Sequence, residues 1–221
     1  MSELILYDYW RSSAAYRVRI ALNLKELPYK TIPVHLVKDG GEQHKAEFAT
    51  INASELVPVL RVPDSEGNEM LLNQSLTIID YLDDHYPTPR LTPKSGDVRY
   101  LVKALAQDIA IDIHPINNLR VIQHLSQHFS MDDNAKQQWM RHWIKTGFQA
   151  LEKKLAKTSS SCCVGDDITL VDVCLVPQLY NAERFNIDMK PFPIISTIGE
   201  RLRTHSAFMA AEPERQKDAV L

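Results

Sequence analysis

Leu4-Ile5-Leu6-Tyr7-Asp8-Tyr9-Trp10-Arg11-Ser12-Ser13-Ala14-Ala15-Tyr16-Arg17-Val18-Arg19-Ile20-Ala21-Leu22 is the stretch whose reading decides the fold. Leu4 to Tyr7 is a short apolar run suited to a buried strand, and Asp8 to Arg11 is a polar loop. From Ser13 onward Ala14, Val18, Ala21, Leu22 and Lys25 fall at helical spacing, with Ser12 or Ser13 as the N-cap candidate and Pro28 as the stop. Ile32, Val34 and Leu36 then alternate as in a strand. A strand, a helix and a second strand in that order favour parallel pairing through a right-handed crossover, so the chain opens with a βαβ unit.

Beyond Asp39-Gly40-Gly41 a short helix is expected around His44 to Ala49. Leu56 to Val62 reads as a strand with Pro58 at its entrance, and Pro63 to Asn68 is the turn that joins it to Glu69 to Leu72 in an antiparallel hairpin. Asn73-Gln74-Ser75 opens a further helix, with Ile78, Ile79 and Leu82 as its apolar stripe, ending before Pro87. The order β-α-β-(α)-β-β-α is that of a thioredoxin-like domain, a topology that by itself says little about chemistry. Pro87-Thr88-Pro89-Arg90-Leu91-Thr92-Pro93 cannot continue a helix and suits a stiff linker. From Asp97 helical periodicity dominates, over Val98 to Ile111, Pro115 to Phe129, Asn134 to Ala156, Thr169 to Phe185 and Pro193 to Arg203. The expectation is an α/β thioredoxin-like domain over 1–86, a linker over 87–96 and an all-helical bundle over 97–221. Within the bundle, Thr169 and Asp172 form a capping box, flanked by Ile168 and Val173 as a hydrophobic staple.

The 221 residues carry a formal charge of −3 with acids and bases interspersed, which gives no overall electrostatic reason to expect nucleic acid or an anionic membrane. Any anion binding must be local. The start, Met1 to Tyr7, does not read as a secretory signal, and no run approaches transmembrane length. Cys162, Cys163 and Cys174 make no CxxC pair and no disulfide framework, so a reducing cytoplasm is the expected compartment. His124 and His128 have the spacing of a helical metal pair but lack an HExxH pattern and a third ligand; exposure is the favoured reading, and no metal is expected.

Arg11 to Leu22 resembles the signature of zeta-class glutathione transferases, the maleylacetoacetate isomerases, which usually reads Ser-Ser-Cys followed two positions later by Trp-Arg-Val-Arg. Further matches follow in order: Lys38-Asp39-Gly40-Gly41, Leu56-Val57-Pro58, Asn73-Gln74-Ser75-Leu76, His114-Pro115-Ile116-Asn117-Asn118-Leu119 and Asn181-Ala182-Glu183-Arg184-Phe185. Two positions depart from the family: Ala14 replaces the cysteine, which excludes a covalent role for it here, and Tyr16 replaces the tryptophan. The resemblance implies the glutathione transferase fold, a homodimer, glutathione as cofactor, and isomerisation of a keto-diacid by reversible thiolate addition. Maleylacetoacetate is the substrate it favours. Maleylpyruvate, transfer of glutathione to α-halo acids and a non-catalytic binding module stand as alternatives.

Site roles follow from the same resemblance. Ser12 and Ser13 on residue type alone are better read as helix caps; within the full signature Ser12, with Ser13 and Arg11, is the catalytic candidate, because a hydroxyl at a helix N-terminus lowers a thiol pKa. Gln74 and Ser75 are placed on the γ-glutamyl carboxylate of glutathione, although simple capping remains compatible. Val57, before a cis Pro58, presents backbone groups to the cysteinyl part, and Gln43 matches another contact, an exposed loop glutamine being the alternative. His114, Asn117, Asn118 and Arg120 fall in a further cofactor-binding segment. The maleylpyruvate isomerases carry histidine at the His114 position, which weakens discrimination between the two substrates. Arg11, Arg17 and Arg184 are the candidates for the substrate carboxylates, since guanidinium groups hold carboxylates bidentately. Arg19 reads as structural.

Overall fold

The computed structural model describes residues 3–64 and 66–220; Met1, Ser2, Ser65 in the hairpin turn and Leu221 lie outside the described residues. Two compact units emerge, Met1–Arg90 with His205–Leu221, and Leu91–Thr204.

In the first unit β1 (Leu4–Asp8), β2 (Tyr29–Pro33), β3 (Val59–Pro63) and β4 (Glu69–Asn73) form a mixed sheet in the order β2-β1-β3-β4. β1 pairs parallel with β2 and antiparallel with β3, and β3 pairs antiparallel with β4. This is the thioredoxin-like arrangement expected from the element order. All five residues of β1 are buried, as its continuous apolar run requires of a central strand. β2 lies earlier than the alternation of Ile32, Val34 and Leu36 suggested. Its ladder is set by the length of β1, whose last residue Asp8 stands opposite Pro33. One further bond, from Val34 N–H to Asp8 C=O at 2.7 Å, closes the pairing.

α1 (Ser13–Leu24) and α3 (Ser75–His85) pack against each other, and a 3-10 turn at Glu42–His44 followed by α2 (Ala46–Ile51) replaces the single short helix expected there. The Lys25 ammonium, at the C-cap of α1, is buried and bonds the Asp83 carboxylate at 2.8 Å, Tyr86 C=O at 2.8 Å and Pro89 C=O at 2.6 Å. It ties the ends of α1 and α3 to the proline-rich connection. Removing one partner of such a buried pair costs about 3–5 kcal/mol.

The sequence reading assigned the whole C-terminal stretch to the helical part. Instead α9 (Ser206–Ala211), an element the reading did not anticipate, packs on α1 within the first unit. Asn23 Nδ2 donates to Ala207 C=O at 3.0 Å, and Arg19 Nε donates to Ala211 C=O at 3.0 Å. Polar side chains on α1 therefore recruit this segment, a long-range preference that local periodicity does not express.

The second unit is helical: α4 (Asp97–Gln107), α5 (Leu119–His128), α6 (Asp133–Leu155), α7 (Leu170–Arg184) and α8 (Pro193–Arg203). Between α4 and α5 the chain does not run as two uninterrupted helices. It widens into a π-helical turn at Asp108–Ile113, then a 3-10 turn at Pro115–Asn117. Pro115 has no N–H to continue a ladder, and His114 N–H reaches back to Ile109 C=O at 3.0 Å. Gly147 of α6 lies against this turn; a Cβ there would sit 2.3 Å from Ile113 Cδ1, so close packing requires glycine. The expected capping box is present, with the Asp172 carboxylate accepting from Thr169 N–H at 2.8 Å. α8 is held at its start by Glu152 of α6, whose carboxylate accepts from Ile194 and Ile195 N–H at 2.8 and 3.0 Å.

Candidate active site

Ser12 stands at the N-cap of α1, with φ −71 and ψ 118, and its Oγ accepts from Ala15 N–H at 3.3 Å. A serine hydroxyl that accepts one bond still has its hydrogen to donate, so capping and thiolate stabilisation are compatible roles for the same atom. No acidic residue occupies the first turn of α1. No carboxylate of its own first turn therefore compensates the positive end of this helix, a condition that favours an external anion. Ser13, the first residue of α1, is buried. Beside the cap, the Arg11 guanidinium lies over the Trp10 ring with Cζ 4.2 Å from its centroid. Its Nε is buried with no hydrogen-bond partner among the described residues, a donor suited to a carboxylate.

The loop carrying these groups is fixed by Arg19, whose importance the sequence reading understated. Arg19 and Asp8 are both fully buried. Nη1 donates to both Asp8 oxygens at 2.8 and 2.9 Å, Nη2 to Trp10 C=O at 2.9 Å, and Nε to Ala211 C=O. Burial pushes the Asp8 carboxyl upward in pKa while the Arg19 guanidinium pulls against it. A cation between Val18 and Ile20-Ala21-Leu22 was the available signal, because a charge on an apolar stripe needs a buried partner. Asp218, whose carboxylate accepts from Trp10 N–H at 3.3 Å, left no such signal.

Arg17 is also buried, and its Nη1 donates to Ser75 Oγ at 3.3 Å. This bond links α1 to the start of α3. Arg17 therefore contacts a cofactor-binding candidate. Ser75 is buried at the first position of α3, and Gln74 before it adopts φ 67, ψ 111 without capping the helix with its side chain. α3 has no acidic residue in its first turn either. Its uncapped N–H groups and the Ser75 hydroxyl suit a carboxylate such as that of the γ-glutamyl group. The Val57–Pro58 bond is cis, as the resemblance implied, and Val57 lies in the apolar cluster with Tyr7, Tyr9, Trp10 and Phe48.

Gln43 is 6% exposed, which removes the exposed-loop alternative. Its Nε2 donates to Leu36 C=O at 3.3 Å, while Oε1 is buried without a partner among the described residues. Gly41 makes room for it: at φ 104, a Cβ there would meet the Gln43 carboxamide at 2.5 Å. The unpartnered Gln43 acceptor, the uncapped start of α3 and the acid-free start of α1 are donor and acceptor groups of the kind a tripeptide requires.

In the second unit, His114, Asn117, Asn118 and Arg120 follow one another through the π-helical exit into α5. Asn117 is buried, donating from Nδ2 to Ile113 C=O at 3.1 Å, with Oδ1 lacking a partner among the described residues. Asn118 caps α5 by accepting from Arg120 N–H at 3.2 Å, and Arg120 is exposed. Arg184 is exposed at the end of α7, with Nη1 3.4 Å from Asn181 Oδ1 and its guanidinium 5.3 Å from the Phe185 ring. His124 and His128 are exposed neighbours with ring centroids 4.5 Å apart, and no cluster of three metal-ligating side chains occurs among the described residues. Burial pushes the thiols of Cys162 and Cys163 up in pKa, which fits packing residues and opposes thiolate chemistry.

Residues 11–85 match the family model described as glutathione S-transferase, N-terminal domain. A probable maleylacetoacetate isomerase of Vibrio cholerae is 58% identical over 219 residues, covering 99% of this chain and 100% of that protein. Among solved structures, the holo form of a zeta-class maleyl pyruvate isomerase superposes with a TM-score of 0.91 at 41% identity, covering 98% of this chain and 100% of the other. A maleylacetoacetate isomerase from Anaeromyxobacter dehalogenans with glutathione bound in its active site gives 0.88 at 38% identity, covering 99% and 98%. With likeness running through both units at this level, the chain belongs to the zeta-class glutathione transferase and maleylacetoacetate isomerase family.

Proposed function

We propose that this protein converts maleylacetoacetate to fumarylacetoacetate with glutathione as cofactor, acting in the cytoplasm as a homodimer. The observation that carries the reading is the pair of acid-free helix starts, one capped by Ser12 and the other opened by Ser75, joined through Arg17. Glutathione, when bound, supplies a sulfur nucleophile whose reversible addition makes the cis double bond rotatable and whose departure restores it as trans. Ser75, the uncapped N–H groups of α3, Gln43 and Val57 hold the tripeptide. Ser12 donates its hydroxyl hydrogen toward the sulfur, and the α1 N-terminus adds its partial positive charge, so that the anion rather than the thiol predominates. Ser13 contributes its position at N1. Arg11 and Arg184 take the substrate carboxylates, and a cation beside the reacting alkene stabilises charge that develops on the substrate oxygens. His114, Asn117, Asn118 and Arg120 complete the cofactor and substrate contacts.

The test is isomerisation of maleylacetoacetate followed with and without added glutathione. Glutathione-dependent turnover is expected, and its absence sinks the proposal. A second reading, maleylpyruvate as the physiological substrate, is favoured by His114 and by the similarity to a maleyl pyruvate isomerase. Comparison of kcat/KM on the two substrates decides between them.

A further inference from the structure

The 3-10 turn Glu42–His44 carries, beside Gln43, an imidazole that the proposed reaction does not use. Gln43 Nε2 lies 3.0 Å from His44 Nε2, and His44 Nδ1 lies 2.5 Å from Glu55 Oε2. A carboxamide nitrogen only donates, so His44 Nε2 must be the accepting nitrogen and Nδ1 must bear the proton that Glu55 accepts. The two hydrogens of Gln43 Nε2 then have two acceptors, Leu36 C=O and His44 Nε2. Together these fix the orientation of the amide and leave Oε1 as the unpartnered buried acceptor. Glu55 is itself held in place: it adopts φ 54, and its N–H donates to Asn52 C=O at 2.8 Å, two residues ahead of Val57.

We infer that His44, oriented by Glu55, is a positioning residue that sets which end of the Gln43 carboxamide faces the cofactor, and that its protonation turns that amide over and weakens glutathione binding. The inference rests on glutathione being the cofactor. In the neutral imidazole the amide presents an acceptor, suited to a peptide N–H of glutathione. A protonated imidazole has N–H at both nitrogens and cannot accept from Gln43. Two donors then face each other. Rotation of the amide relieves the clash by placing Oε1 against His44, at the cost of the bond to Leu36 C=O, and it presents N–H where the cofactor met an acceptor. The ionisable groups packed against this turn are His35, Lys38 and Asp39 before it, Glu42 within it, and Lys45 and Glu47 at the start of α2; the Glu42 carboxylate accepts from His35 N–H at 2.8 Å. Glu42 and Lys45 pair with each other at 3.6 Å, and Glu55 is the carboxylate in contact with the imidazole. The His44 side chain is 55% exposed, and substitutions there leave the core closed.

The experiment is calorimetric titration of the full chain with S-methylglutathione, whose sulfur carries no proton, at about pH 7.5 and about pH 5.5, which bracket ordinary histidine titration. Wild-type affinity is expected to fall roughly tenfold at the lower pH, the value of one well-made hydrogen bond. His44→Gln retains an acceptor for Gln43 that does not titrate, and its affinity is expected to change less than about twofold between the two conditions. His44→Leu, lacking the acceptor, binds weakly at both. Wild-type affinity that is the same at both pH values, or a loss that His44→Gln retains in full, overturns the inference while leaving glutathione as the cofactor. Wild-type protein that binds no ligand at either pH overturns the cofactor assignment and this inference with it.

Discussion

At the start of α7 the Asp172 carboxylate accepts from Thr169 N–H and Oγ1, both at 2.8 Å, and from Cys163 N–H at 2.9 Å. At the start of α1 the first turn holds no acid, and one serine hydroxyl accepts one backbone bond. Both helices expose unpaired N–H groups at their first turn, as every α-helix does. In α7 the Thr169 hydroxyl takes Val171 N–H at 3.3 Å while the chain's own Asp172 carboxylate sits in the first turn and takes the cap N–H; the first turns of α1 and α3 hold no carboxylate. Under the proposed function, the contrast separates a helix start built for folding from one built for a ligand.

Substitutions at the two kinds of terminus sharpen that separation, since each should move one property and spare the other. Ser12→Ala is expected to lower kcat about 100- to 1000-fold, the loss typical of one donor aimed at a reacting anion, for about 1 kcal/mol of stability lost with the cap; steady-state kinetics and urea unfolding measure the two. Asp172→Ala should do the reverse. It destabilises the protein by about 3 kcal/mol, combining a lost capping box with buried N–H groups left unpaired, while kcat per folded molecule is unchanged. A fall in kcat without loss of stability would break the contrast. For Ser75→Ala the expectation is a roughly tenfold weaker glutathione affinity by calorimetry, with kcat at saturating glutathione retained. The smallest effect is the most diagnostic: Ala14→Glu places a carboxylate in the first turn of α1 and should stabilise the helix by about 0.5 kcal/mol while slowing turnover. If turnover rises with stability, the open terminus has no role with an anion.

Much of this was legible in the sequence because it rests on short-range signals. The apolar run Leu4 to Tyr7, the serine cap and the Thr169-to-Asp172 box each depend on residues within one turn or one strand, and each stands where the pattern put it. What escaped the reading depends on distant partners. β2 takes its limits from β1 and not from its own alternation, and α9 is drawn to α1 through Arg19 and Asn23, residues nearly two hundred positions away. Pro115 announced a helix break, but the π-helical turn before it requires the approach of Gly147 from α6. In the candidate site, Ser12 and Ser75 followed from the signature. The burial of Gln43 did not, because a glutamine in a glycine-rich turn carries no mark of the Leu36 carbonyl and His44 imidazole that hold it.

The measurement that bears most directly on the central claim is the ultraviolet absorbance of the thiolate of bound glutathione, followed against pH in wild type and Ser12→Ala. A wild-type thiol that titrates below about 7.5, moved upward by the substitution, is the expected result. A bound thiol that titrates as it does free in solution, in both proteins alike, would contradict the role given to Ser12 and the open end of α1.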